Sequence, residues 1–329
     1  MCRIRARATG LLSVGTCVAL IASCGLQSGG TVPLPVGPGS IQPIAELKGV
    51  QLTVGSKDFT EQVILGYFIE FAMVAAGADV RDLTNIQGSN STHQALVSGQ
   101  VDLTYDYTGT GWINYLGHEK PIADAAKQFE AVRDESLAKE KIVWVDPAPM
   151  NNTYALAMSE QTAKSTGVTT LSDYAALVKA APARASTCLE TEFISRQDGF
   201  AGMAAAYGFD PGQAHTLILQ TGLIYSATAT GTECSFGEVF TTDGRIIGLH
   251  LVLVKDDKAF FPHYNATLNI RQPIADRYPQ IAEVMRPVSD AITNAEITRL
   301  SAQVDVDGAD PAQVARQWMV DKGFVTTRR

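Results

Sequence analysis

The 329-residue chain lacks the sequence marks of the common enzyme classes. It has no G-x-S-x-G, H-E-x-x-H or Walker A pattern, and Gly109-Thr110-Gly111 is not followed by the third glycine of a dinucleotide fingerprint. The five histidines are scattered without ligand spacing, so neither a metal nor another cofactor is expected. Glu190 and Glu192 are paired carboxylates on a loop, a pattern that usually marks a solvated face. Basic runs are missing after the first residues, and 26 Lys and Arg stand against 34 Asp and Glu, so no nucleic-acid partner is expected. Nothing here asks for an enzyme.

Long apolar runs are scarce. Leu11–Ile21 is too short to span a bilayer comfortably and follows Arg3, Arg5 and Arg7, which reads as a targeting segment over residues 1–23. It ends in Ile21-Ala22-Ser23-Cys24, a Cys behind small residues that resembles the lipobox of bacterial lipoproteins. In that reading Cys24 is acylated and anchors the mature chain to the membrane from outside. A plain secretory signal cut nearby is the alternative. Of the five cysteines, Cys2 and Cys17 leave with the signal and Cys24 carries lipid. Cys188 and Cys234 remain, an even pair in an oxidising compartment, so a disulfide is the default and two buried thiols the alternative.

What is present suffices for two domains with cores of their own. Residues 24–47, rich in Gly, Pro and Ser, read as a flexible tether. A strand at 50–54 turns through Gly55–Phe59 into a helix that runs from Thr60 to Gly77, with Glu61 placed to suit the helix dipole. Lys57 at that junction could help hold an anion, or could be an ordinary surface lysine. Further strands are expected at 142–145, 154–158 and 185–188, with a long one at 246–254. Helices are expected at 122–140, from a Ser172 cap to 178, and at 200–207, 279–285, 294–303 and 311–322. The alternation of strands and helices argues for α/β units with parallel or mixed sheets.

The stretch Val101–Trp112 stands out. Val101 and Leu103 alternate with Asp102 and Thr104 as a strand, and the run ends in a glycine turn bracketed by Tyr105, Tyr107 and Trp112. Aromatics and close-approach backbone at a strand's C-terminal end suit a small-molecule cleft. A strand end with aromatics tucked into the core is the plainer possibility.

Six segments in order resemble the glycine betaine/choline-binding proteins of osmoprotectant ABC transporters: GSKDFTEQVIL at 55–65, VDLTYDYTGT at 101–110, NNTYAL at 151–156, EFISRQDG at 192–199, FTTDGRI at 240–246 and LVKDDKAFFPHY at 253–264. The resemblance implies an α/β two-lobed periplasmic-binding-protein fold of type II with the ligand cleft between the lobes. Lobe 1 would comprise 48–151 and 256–329, and lobe 2 152–255. It implies an aromatic box for a quaternary ammonium at Tyr107, Tyr154, Phe240 and Tyr264, with Thr110 closing the Tyr-Thr-Gly-Thr motif and a backbone carbonyl from Asn152. Lys57 and Arg196 would hold a carboxylate, which favours glycine betaine over choline. An ABC permease is the implied partner. Phe240, where the family often has Tyr, and Ala148 leave open a choline, amino-acid or aromatic ligand in the same fold. An enzyme that uses the cleft is the third reading.

Overall fold

The computed structural model describes residues 30–145 and 147–328. Residues 1–23, read above as a targeting segment, and Cys24 lie outside them. Two mixed sheets organise the described chain. The first has the strand order Gly30–Thr31, Asp79–Ile86, Gln51–Lys57, Leu103–Tyr107, Ala266–Arg271, Ile142–Trp144. The second has the order Leu251–Val254, Tyr154–Ser159, Phe236–Phe240, Thr187–Leu189, Thr216–Ile218. The chain leaves the first sheet after Trp144, enters the second at Tyr154, and returns between Val254 and Ala266.

The strand Gln51–Lys57 pairs in parallel with both Asp79–Ile86 and Leu103–Tyr107. It feeds the helix Thr60–Ala75. That helix is buried at most positions and packs against the C-terminal helices Asn294–Asp305 and Pro311–Asp321. Phe68 stacks on Trp318 at 4.3 Å. Gly77, at φ +102°, takes the turn after the helix that a side chain would strain. Every residue of Leu103–Tyr107 is buried, so the expected in/out alternation does not appear as exposure. The strand is central, and both of its faces are covered.

The expected tether over 24–47 is corrected for residues 30–47. Gly30–Thr31 pairs antiparallel with Arg81 and Asp82, and Val36–Pro38 with Val325–Thr327. Val36, Ile41 and Leu47 are buried. Glycine and proline here serve an extended path pressed onto the body: a Cβ at Gly39 would stand 2.6 Å from the Gly323 carbonyl.

Other differences have local causes. Thr170, not Ser172, caps the helix Leu171–Ala180, in a capping box with Asp173. Ser172 instead donates to Asp257 through its N–H and its hydroxyl. The expected long strand 246–254 is a short helical turn, Arg245–Gly248, followed by Leu251–Val254. Asp243 accepts from the Arg245 N–H at 2.9 Å, and His250 sits at φ +52°, which together interrupt the extended run. Thr108–Thr110 and Gly111–Tyr115 are helical rather than a simple turn. Their glycines allow close approach to rings: a Cβ at Gly109 would meet Tyr264, and one at Gly111 would meet Trp144.

Glu70 on the first long helix is fully buried beside Asp82. Burial, then the like charge of Asp82, raises its pKa to about 10. The folded state therefore holds a proton that the unfolded chain releases near pH 4.5. Stability from this group is complete below that value and falls as pH rises toward 10, by up to about 1.4 kcal/mol per unit. Glu70→Gln removes this slope. Urea unfolding at neutral and alkaline pH measures it, and an unchanged slope in the variant would place its origin elsewhere.

Candidate functional site

A cavity of about 350 Å³ lies between the two sheets, at the small end of ligand pockets. Strand ends build it. Lys57 and Tyr107 are the last residues of neighbouring strands in the first sheet. Tyr154 opens one strand of the second sheet and Phe240 closes the next, and the two are direct cross-strand partners. Tyr264 precedes the returning strand Ala266–Arg271, whose first residue pairs with Tyr107. With Thr110 and Asn152, these are seven of the eight positions named above, and all seven line the cavity.

The rings form a continuous wall. Tyr154 meets Phe240 at 5.1 Å and Tyr264 edge-on at 5.4 Å. Phe59, missed from sequence because it reads as one more residue of a strand-to-helix turn, joins the sheets by stacking on Phe240 at 5.1 Å and facing Tyr107 at 6.3 Å. Burial pushes the Tyr107, Tyr154 and Tyr264 hydroxyls well above the ordinary phenol range, so the box rings stay neutral.

The two cations expected to grip a carboxylate each have a carboxylate partner within the protein. Lys57 Nζ lies 2.8 Å from Asp106 Oδ1, with both side chains buried. Arg196 is not on the cavity wall. Its Nε and Nη2 donate to the two oxygens of Asp198 at 2.7 and 2.6 Å, and Nη1 reaches Glu192 at 3.3 Å. The guanidinium stands 5.5 Å from the Tyr154 ring and 6.0 Å from that of Tyr264, and the Tyr264 hydroxyl donates to Asp198. Arg196 thus backs the box. Unpaired, either cation would be costly where it is buried, which is why the fold supplies a carboxylate to each. The Lys57 ammonium keeps further N–H donors for a ligand acceptor, but its charge is matched.

The Glu190/Glu192 pair is not a solvated face. Glu190 accepts from the Glu192 N–H at 2.6 Å, and Glu192 reaches across the cleft to the Ser89 N–H at 3.0 Å. Burial opposes Glu192 ionisation, yet Lys57, Arg196 and Ser89 hold its pKa below the usual range. Arg245 was quoted in the FTTDGRI segment without a role. It lines the cavity while bonding Asp243 through Nε at 2.9 Å and Nη2 at 2.5 Å. Asn152 donates through Nδ2 to Glu61 at 2.8 Å, and its Oδ1 is buried without a partner. Glu61, read as a helix-dipole residue, lies 4 % exposed beneath the box. A first-turn acid gives no sequence sign of which way it points, so only the fold reveals this.

Comparison with known proteins agrees with this architecture. Residues 50–321 match the OpuAC family, the substrate binding domain of ABC-type glycine betaine transport system. A glycine-betaine-binding protein of Pseudomonas aeruginosa is 34% identical over 273 residues, 82% of this chain and 86% of that protein. The ergothioneine transport permease/ergothioneine binding protein EgtU of Helicobacter pylori is 31% identical over 83% of this chain and 48% of its own length. A crystal structure titled as a glycine betaine/carnitine/choline ABC transporter superposes with a TM-score of 0.68 at 26% identity, over 83% of this chain and 99% of that one. The fold is the two-lobed α/β type II periplasmic-binding-protein fold. The chain belongs to the family of substrate-binding domains of ABC-type glycine betaine transport systems.

Proposed function

We propose that this protein captures a trimethylammonium solute between its two lobes and delivers it to an ABC permease. One observation carries the reading: aromatic faces from both sheets, Tyr107 and Tyr264 on one side and Tyr154 and Phe240 on the other, converge on one cavity. A quaternary ammonium has no N–H to bond. Ring faces hold it, each contributing about 0.5–2 kcal/mol. Glycine betaine, carnitine and choline share that head, and with Lys57 and Arg196 paired within the protein the head dominates recognition. In this reading the lobes, 48–151 with 256–329 and 152–255, close on the ligand.

A second reading has its own support. The cavity continues past the rings to Gln87, Ser89, Glu190 and Gln220, which leaves room for a larger trimethylammonium solute with a polar second group. The H. pylori relative is named for such a compound, ergothioneine.

Titration calorimetry with glycine betaine, carnitine, choline and ergothioneine tests both. Phe240→Ala removes one ring and weakens every member of the panel, by roughly twofold to thirtyfold. Binding of none of them would end the proposal, and unchanged affinity in Phe240→Ala would remove that ring from the box.

The protein is proposed to be held outside the cytoplasmic membrane by lipid on Cys24, with a Cys188–Cys234 disulfide in the second lobe. The latter pair has a Cα separation of 5.6 Å, within disulfide range. Intact mass of the mature protein, with and without reductant before alkylation, tests both. A non-acylated N-terminus removes the anchor, and two alkylated thiols without reductant remove the bridge.

A further inference from the structure

Glu61 receives three hydrogen bonds from three different parts of the chain. Tyr107, at the end of a first-sheet strand, donates its hydroxyl to Oε1 at 2.5 Å. Asn152, in the first crossover, donates Nδ2 to the same oxygen at 2.8 Å. Thr242, just past the second-sheet strand Phe236–Phe240, donates its hydroxyl to Oε2 at 2.5 Å. Tyr107 and Asn152 line the cavity, while Glu61 stands behind them.

An ionised carboxylate only accepts, so it satisfies all three donors at once. A protonated Glu61 has to turn one of these partners into an acceptor. The Tyr107 or the Thr242 hydroxyl has to reverse, or the Asn152 amide has to turn over and present Oδ1, which is buried without a partner. The ionised form also draws the Tyr107 proton toward itself and makes that ring a better face for a cation. We infer that Glu61 is a positioning residue which joins the two lobes beneath the aromatic box and releases its proton to solvent when a quaternary ammonium enters. This rests on the trimethylammonium reading above. Only the O–H bond of the carboxyl breaks. One cation enters and one proton leaves, so the charge of the site is conserved.

Of the charges around the site, Glu192 is held ionised by Lys57, Arg196 and Ser89. Glu190 on the cavity wall and Asp305 have their pKa raised by burial as Glu61 does, and the Glu61→Gln variant separates them from it. Lys57 and Asp106 from the neighbouring strands neutralise each other. Asp243 is paired with Arg245. Asp305, on the helix Asn294–Asp305, accepts from Thr60 and lies 3.8 Å from Arg245. His263, beside the box in sequence, turns to the Ala123 carbonyl at 3.1 Å. Burial, against the pull of the three donors and with the help of Asp243, raises the Glu61 pKa to about 7, so its protonation is balanced at neutral pH.

Choline is the probe, because its charge is permanent and it carries no group that titrates near neutrality. Its affinity for the wild type rises about tenfold from roughly pH 5.5 to roughly pH 8. Calorimetry near pH 7, in two buffers of different ionisation heat, shows a fraction of a proton released per choline bound. Glu61→Gln, which mimics the protonated carboxyl, binds choline at every pH with about the weaker affinity the wild type shows at low pH, so the profile is flat and the buffer dependence is lost. A pH profile that persists in Glu61→Gln overturns the inference. So does a flat wild-type profile with no proton released, a result that needs no variant. Binding that ignores pH defeats this inference alone. Failure of every trimethylammonium compound at every pH defeats the proposed function, and this inference with it.

Discussion

Arg196→Ala will cost the folded protein about 3–5 kcal/mol and will weaken glycine betaine and choline alike. The arginine is buried, with both oxygens of Asp198 and one of Glu192 on its guanidinium. Truncation leaves Asp198 as an uncompensated buried charge, the costly half of a broken pair. It also frees the Tyr264 hydroxyl's partner and removes the cation behind Tyr154 and Tyr264. Both rings face whatever head group the box holds, so the loss is shared among ligands. Urea unfolding and calorimetry with the two ligands measure it. A variant that unfolds like the wild type and loses betaine while keeping choline would mean that Arg196 meets the ligand carboxylate after all.

Gly244→Ala will weaken binding by fivefold to more than a hundredfold, and the ligand-bound protein will be less compact. Gly244 follows the second-sheet strand Phe236–Phe240, yet a Cβ there would stand 2.3 Å from Ala302 N and 2.4 Å from its Cα. Ala302 belongs to the helix Asn294–Asp305, which packs on the first sheet's long helix Thr60–Ala75. The obstacle is helix backbone and cannot rotate away. Overpacking of this kind costs about 1–3 kcal/mol, borne by the state in which the lobes meet. Small-angle scattering with saturating ligand should give a larger radius of gyration for the variant than for the wild type. Equal affinity and equal size would mean that this contact is not part of the bound state.

Local sequence signals were good guides to several helix ends. The helix Phe200–Tyr207 ends at Gly208, as its pattern predicts, and Gly77 marks the end of the first long helix. Seven of the eight positions named from the sequence line the cavity because they sit at strand ends and in recognisable segments. What could not be read was pairing. Asp106 lies in the same strand as Tyr107, and Asp198 lies two residues after Arg196, yet nothing in the linear order says that each would neutralise a cation. Phe59 and Glu61 were hidden for a similar reason: which way a helix's first turn faces is set by what packs on it. The strand Ala266–Arg271 also went unread. It lies between a charged turn and a helical tail, and its central place comes from pairing with Leu103–Tyr107, far away in sequence. The tether was read too long because Gly and Pro signal an irregular path, while Val36, Ile41 and Leu47 anchor that path to the body.

The central claim is that ring faces hold a methylated ammonium. Calorimetry of the wild-type protein with paired ligands tests it most directly: glycine betaine against glycine, and choline against ethanolamine. The members of each pair differ in their N-methyl groups, so the carboxylate and the hydroxyl cancel in the comparison. An ammonium with N–H groups loses strong hydration that neutral rings do not replace, whereas a trimethylammonium loses little and gains the faces of Tyr107, Tyr154, Phe240 and Tyr264. The account predicts that each methylated ligand binds at least about tenfold tighter than its partner, a difference of about 1.4 kcal/mol or more. Equal affinity within each pair, or tighter binding of glycine and ethanolamine, would contradict it.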